Sequence, residues 1–113
     1  MTVEQLAQKL DLRVVCGGDS LQREVNGRLY CCDLLSIVMG RAPADGVWVT
    51  VMANLNTVAV AVLCDLACVV VAEGMAIDDT VTARAEQQGV ALLATEKPVY
   101  ETARAIDRCC NEA

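Results

Sequence analysis

Residues 55–74, LNTVAVAVLCDLACVVVAEG, are the most apolar part of this chain and restrict what it can become. The apolar run from residue 57 to residue 72 is about 16 residues long, short of the roughly 20 that a spanning helix needs. Asp65 lies inside it, and a carboxylate in the middle of a bilayer costs a helix about 2.5–3.5 kcal/mol. A membrane segment is therefore set aside. The stretch reads instead as a helix over about residues 56–66, capped by Asn54 or Asn56, that runs directly into a buried strand, CVVVA.

That helix carries more apolar surface than one face of a small sheet uses. At 100° per residue, Val58, Val60, Val62, Leu63 and Leu66 do not fall on one side, and the outward candidates are the small group Thr57, Ala61, Cys64 and Asp65. A second subunit is the expected cover. The expectation is a homodimer whose interface includes Val58, Ala61, Val62, Cys64 and Asp65.

The remaining segments alternate in kind. Thr2 and Gln5 form a capping-box pattern before Leu6 and Leu10, which predicts a first helix over about residues 3–10. LRVVCGG is a short strand closed by a glycine turn. In REVNGRLYCC, the pair Asn26-Gly27 is either a hairpin turn or a kink within one strand. Asp33 is placed to cap LLSIVMG, with Leu34, Leu35, Val38 and Met39 as its apolar face and Gly40 as its stop. An Asp45-Gly46 turn leads into the strand VWVTV. IDDTVTARAEQQG is a helix capped by Asp78 and closed by Gly89, VALLAT a strand, and PVYETARAIDRCC a last helix with Pro98 in its first turn. Strands separated by single helices predict an α/β fold of three layers, a mainly parallel sheet of four to five strands with helices on both faces, as one domain over residues 1–113.

Composition narrows the function. The formal charge is −6 with two lysines, Lys9 and Lys97, which opposes nucleic-acid binding. There is no histidine, which removes the commonest general base, the commonest zinc nitrogen ligand and any Ser-His or Cys-His pair. The N-terminal MTVEQLAQKL lacks the features of a signal peptide, so a cytoplasmic location is expected. The seven cysteines are Cys16, Cys31, Cys32, Cys64, Cys68, Cys109 and Cys110, an odd number unlike a secreted disulfide framework. Their spacing lacks the two close pairs of a zinc or iron-sulfur knuckle, so they read as small buried hydrophobes, with Cys109 and Cys110 the expected exposed thiols. No metal or cofactor is expected.

In a parallel sheet, ligands bind beyond the carboxyl ends of the strands. The residues there are Gly17, Gly18, Asp19, Asn54, Asn56, Glu73, Gly74, Thr95 and Glu96. The plainer reading of the same residues is caps and turns. No GxxxxGK[ST] loop is present, and Cys16 before Gly17-Gly18 has no histidine to activate it.

Three segments, DLLSIVMG, DGVWVTVMANLNTVAVAVLCDLACVVVAEG and QQGVALLATEKPVYETA, resemble the DRTGG-domain family, related in fold to the N-terminal domain of HPr kinase/phosphorylase. The resemblance covers nearly the whole chain and is strongest to the short stand-alone members often encoded beside iron-only hydrogenase subunits. Its most specific parts are Asp33-Leu34-Leu35-Ser36, the run from Asn56 to Leu63, and the run from Gly89 to Thr95. It implies a regulatory or interaction module without catalysis of its own, usually fused to CBS, phosphotransacetylase or cobyrinate-synthase-like domains. Longer members carry glycine-rich and Asp-Arg loops at the strand ends, where this chain has Met52-Ala53-Asn54 and Ala72-Glu73-Gly74.

Three functions follow from these readings. The first is a dimeric, non-catalytic regulatory or assembly module of anaerobic, hydrogenase-linked redox metabolism, with a protein partner in that system. The second is a small-ligand sensor, for an adenine nucleotide, at the strand-end loops. The third is a thiol or iron-sulfur protein.

Overall fold

All four residues of Val47–Thr50 are buried, as are all four of Cys68–Val71, which a strand achieves only when both faces of its sheet are covered. The computed structural model describes residues 1–111. In chain order the elements are α1 (Val3–Leu10), β1 (Arg13–Cys16), a short 3-10 helix (Gly18–Gln22), β2 (Leu29–Cys31), α2 (Leu35–Arg41), β3 (Val47–Thr50), α3 (Leu55–Leu63), β4 (Cys68–Val71), α4 (Asp79–Gln88), β5 (Leu92–Ala94) and α5 (Val99–Asn111). The strands lie in the order β1-β5-β4-β3-β2. The ladder from β2 to β5 is parallel, and β1 joins the β5 edge antiparallel. This is the expected three-layer α/β architecture.

Alternation along the strands sorts the core into two. Trp48, Val69, Val71 and Leu92 point to one face and meet Val38 of α2, Val58 and Ala61 of α3, and Val81 and Ala85 of α4. Val47, Val49, Cys68, Val70 and Leu93 point to the other and meet Val3 and Leu6 of α1 and Ile106 of α5. The indole of Trp48 is fully buried, and its Nε1 donates to the Cys32 carbonyl at 2.8 Å, which offsets the cost of burying a polar N–H.

The helix starts follow local chemistry. In α1 the Thr2 hydroxyl accepts from Gln5 N at 3.1 Å while the Gln5 side chain accepts from Thr2 N at 3.0 Å. In α3, Asn54 plays the same part with Thr57. Gly89, at φ 72°, closes α4.

Three expectations change. Asp33 does not cap α2, whose N-cap is Leu34 without a side-chain bond. Its carboxylate instead accepts from the fully buried Thr50 hydroxyl at 2.6 Å and from Val51 N at 3.0 Å. An exposed helix start finds water for its free N–H groups, whereas a buried hydroxyl does not. Gly40 does not stop α2, which runs to Arg41; Ala42 is extended because Pro43 follows. The segment around Asn26-Gly27 is neither a hairpin nor one kinked strand. Glu24 bridges to Thr2, residues 29–31 pair with β3, and the turn between them has Gly27 at φ 80°.

One guanidinium gathers three connections at the amino end of the sheet. Arg23 reaches the Asp45 carboxylate through Nε at 3.0 Å and Nη2 at 2.5 Å, the Asp65 carbonyl at 2.6 Å and the Asp65 carboxylate at 3.0 Å. Asp45 and Asp65 both hold left-handed backbone, at φ 61° and 56°, a conformation that costs a non-glycine residue free energy. Arg23→Ala is expected to lower unfolding stability by about 1–2 kcal/mol, with Arg23→Lys intermediate because it keeps the charge without the fork. Urea unfolding curves check this; an alanine variant with an unchanged midpoint would remove the staple from the account.

Candidate functional site

The three parallel crossovers place α2, α3 and α4 on one face of the sheet, while the chain leaving β5 crosses to the other face as α5. The loops after β4 and β5, on adjacent strands, therefore diverge to opposite faces. Such divergence opens a crevice at the carboxyl ends of the strands. A cleft of about 320 Å³ lies there, lined by Asp11, Arg13, Gly74, Met75, Ala94, Thr95, Glu96 and Lys97.

The walls are fixed by backbone bonds. Glu73 and Gly74 are both left-handed, at φ 64° and 65°, which turns their N–H groups toward the β5–α5 loop. Glu73 N donates to the Lys97 carbonyl at 2.9 Å and Gly74 N to the Thr95 carbonyl at 3.0 Å. A side chain at Gly74 would meet the movable Glu96 carboxylate, so what favours glycine there is chiefly its left-handed φ. The third wall comes from the start of β1, where Arg13 pairs with Ala94, and from Asp11, the left-handed C-cap of α1.

The sequence-derived candidates divide accordingly. Gly74, Thr95 and Glu96 line the cleft. Glu73 stands beside it, with its carboxylate accepting from Val99 N at 2.8 Å, where a negative charge suits the first turn of α5. Asn54 is engaged as the cap of α3 and Asn56 is exposed, both at the end of β3. Gly17, Gly18 and Asp19 lie at the opposite end of the sheet, because β1 runs antiparallel and its last residue, Cys16, pairs with the first residue of β5, Leu92. Ser20 accordingly donates to the carbonyl of Gly89, before β5. The residues that sequence reasoning passed over are Asp11, Arg13, Met75, Ala94 and Lys97. Lys97 had a signal, being one of two lysines and directly after Glu96, whereas Arg13 had none without the direction of β1.

The α3 surface also differs from expectation. Val58 and Ala61 are buried in the core, and Cys64 turns its sulfur toward the carbonyls of Val38 and Met39 at 3.6 and 3.8 Å. Val62 and Asp65 are exposed, together with Leu55, Ala59 and Leu63. Thr57, held by the capping box, faces the core with Val58, Val60 and Ala61, while Leu55, Val62 and Leu63 face out.

All seven cysteines are free thiols. Cys31, on the edge strand β2, is the exposed one, while Cys109 and Cys110 pack against the core between sheet and α1, contrary to expectation; Cys109 Sγ sits 3.7 Å from Met1 Sδ. In the last turn of α5 these two cysteines are half-buried, while Arg108 and Asn111 beside them are exposed. Among the described residues no group of three or more Cys, Asp or Glu is placed to hold a metal ion, and no helix is long and apolar enough to cross a membrane.

The fold and cleft define a three-layer α/β domain with a strand-end crevice. The chain belongs to the DRTGG domain family, whose profile matches residues 5–109. It is similar in fold to the crystal structure of the CBS and DRTGG domains of the regulatory region of Clostridium perfringens pyrophosphatase, complexed with the activator diadenosine tetraphosphate. The TM-score is 0.78 at 8% identity, over 96% of this chain and 47% of that one, so this chain spans about half the neighbour's length. No curated protein matches the sequence.

Burial pushes the Cys68 thiol up from 9.0 to about 12, with Cys110 adding to the rise and Arg23 opposing it. The thiol thus stays neutral in the folded chain while the unfolded chain ionises near its ordinary value. Above that value the unfolded state binds fewer protons, so stability falls as pH rises through the window from about 9 to about 12, by up to about 4 kcal/mol from this group. Urea midpoints measured across that window should show the decline, and Cys68→Ala should make it shallower, with the thiols of Cys16, Cys31, Cys64 and Cys110, also pushed up by burial, supplying the remainder. An equally steep decline in the variant would assign it to other groups.

Proposed function

We propose that this protein is a non-catalytic regulatory or assembly module that acts as a homodimer in the cytoplasm of an anaerobic, hydrogenase-linked redox system. Membership of the DRTGG family over almost the entire chain carries the reading, and the regulatory region that contains the similar fold in the C. perfringens enzyme supports it. The polar groups at the strand ends point the same way: Asp33, Asn54 and Glu73 are engaged in satisfying backbone and hydroxyl groups. The hydrogenase setting draws on the resemblance to members encoded beside hydrogenase subunits.

Dimerisation is supported by the distribution of exposed apolar side chains. Six of the nine large ones, Leu34, Ile37, Met39, Leu55, Val62 and Leu63, lie on α2 and α3 or just before α2, and these two helices pack side by side. Monomeric proteins seldom leave such residues clustered. Light scattering at micromolar concentration should report a dimer, and Leu63→Lys, at a side chain 69% exposed, should shift it to monomer without lowering the melting temperature. A wild-type monomer removes the dimer. Deleting the gene in a hydrogenase-bearing host should lower hydrogenase activity; unchanged activity removes that setting.

The cleft between the β4 and β5 loops favours a second reading, a small-ligand sensor. The diadenosine tetraphosphate bound by the C. perfringens region supports an adenine nucleotide as its ligand. A melting temperature unmoved by AMP, ATP or diadenosine tetraphosphate would count against the nucleotide.

A further inference from the structure

Around the cleft stand four charged side chains, Asp11, Arg13, Glu96 and Lys97, and none is engaged in a hydrogen bond or ion pair among the described residues. All four are exposed, and what distinguishes them is that they converge on one cleft with two charges of each sign. The backbone beneath the four is held firmly. Asp11 closes α1 with its N–H bonded to Ala7 and Gln8, Arg13 is in register with Ala94, and the Glu96-Lys97 loop is bonded to Glu73 and Gly74. A ligand would therefore have to order the four exposed side chains but not the backbone that carries them.

We propose that this cleft binds a small zwitterion of the α-amino-acid type, with the ligand carboxylate received by Arg13 and Lys97 and its ammonium by Asp11 and Glu96. The charge count selects this class. Two cations and two carboxylates sum to zero, in a chain of net charge −6. A polyphosphate would meet two cations with two carboxylates beside them, and a simple cation would meet the reverse. Only a ligand bearing one charge of each sign engages all four groups, and specificity of this kind comes as much from repelling the wrong charge as from attracting the right one. The volume, about 320 Å³, lies at the small end of ligand sites, which run from about 300 to 1,000 Å³. The hydroxyl of Thr95 accepts from Lys97 N at 3.3 Å, which leaves its hydrogen free to donate to a carboxylate.

The inference rests on the ligand-sensing reading and changes the ligand class within it. The test is amide chemical-shift titration of the full chain with each of the twenty L-amino acids at about 10 mM, enough to detect millimolar binding. Propionate and ethylamine, the half-charged counterparts of alanine, and ATP serve as further probes. The expected result is saturable movement of the Gly74 and Thr95 amides with at least one amino acid and with neither half-charged compound. Arg13→Gln and Glu96→Gln should each weaken it about tenfold, with the melting temperature unchanged. Movement with ATP and none with amino acids overturns the zwitterion and keeps a sensor; equal movement with propionate or ethylamine overturns it also. No movement with any probe overturns both.

Discussion

The backbone groups of β3 and β4 lie between two layers of helices, so each N–H and C=O must find its partner in the ladder. Pairing Val47 with Cys68 and Thr50 with Val71 fixes the register, and a slip of β4 by one residue would turn Val69 and Val71 toward the face that holds Val3 and Ile106. That register determines where the loops after the strands emerge. The cleft between the β4 and β5 loops is thus a product of the core, since its walls are the ends of strands whose positions are set by burial rather than by the loops themselves.

Much of the fold was legible because local chemistry and tertiary demand agree. The Thr2-Gln5 box, the Asn54 cap, Gly89 and Pro98 stand where the helices begin or end, and the apolar runs at residues 47–50, 68–71 and 92–94 became strands. Disagreement arose where a polar residue had a choice. Asp33 fits a cap pattern, yet the Thr50 hydroxyl and the Val51 amide claim it. No pattern along residues 30–36 contains that competition, because the groups that win it are contributed by another strand.

The candidate site was half legible for a similar reason. Gly74, Thr95 and Glu96 follow strands whose direction the βαβ alternation dictates. Asp11 precedes, and Arg13 begins, a strand that joins the sheet at an edge, with no crossover to constrain its direction. Read as parallel, β1 sends Gly17, Gly18 and Asp19 to the cleft; antiparallel, it sends Arg13 instead. A single strand reversal thus exchanges a glycine turn for a cation at the same place in the sheet. The outward face of α3 is similar, for a nearly uniform run of Val and Ala has a weak amphipathic direction, and the cap at Asn54 with its inward Thr57 sets the rotation.

Trp48 gives the protein a built-in optical reporter. It is the only tryptophan, no phenylalanine accompanies it, and it lies at zero exposure in the second strand from the sheet's β2 edge, with its N–H bonded to Cys32. Its emission comes from a dry, hydrogen-bonded indole and shifts to the red only when β3 meets water. Tryptophan emission, excited apart from Tyr30 and Tyr100, is therefore expected to follow loss of the core itself rather than fraying at the termini or events in the cleft.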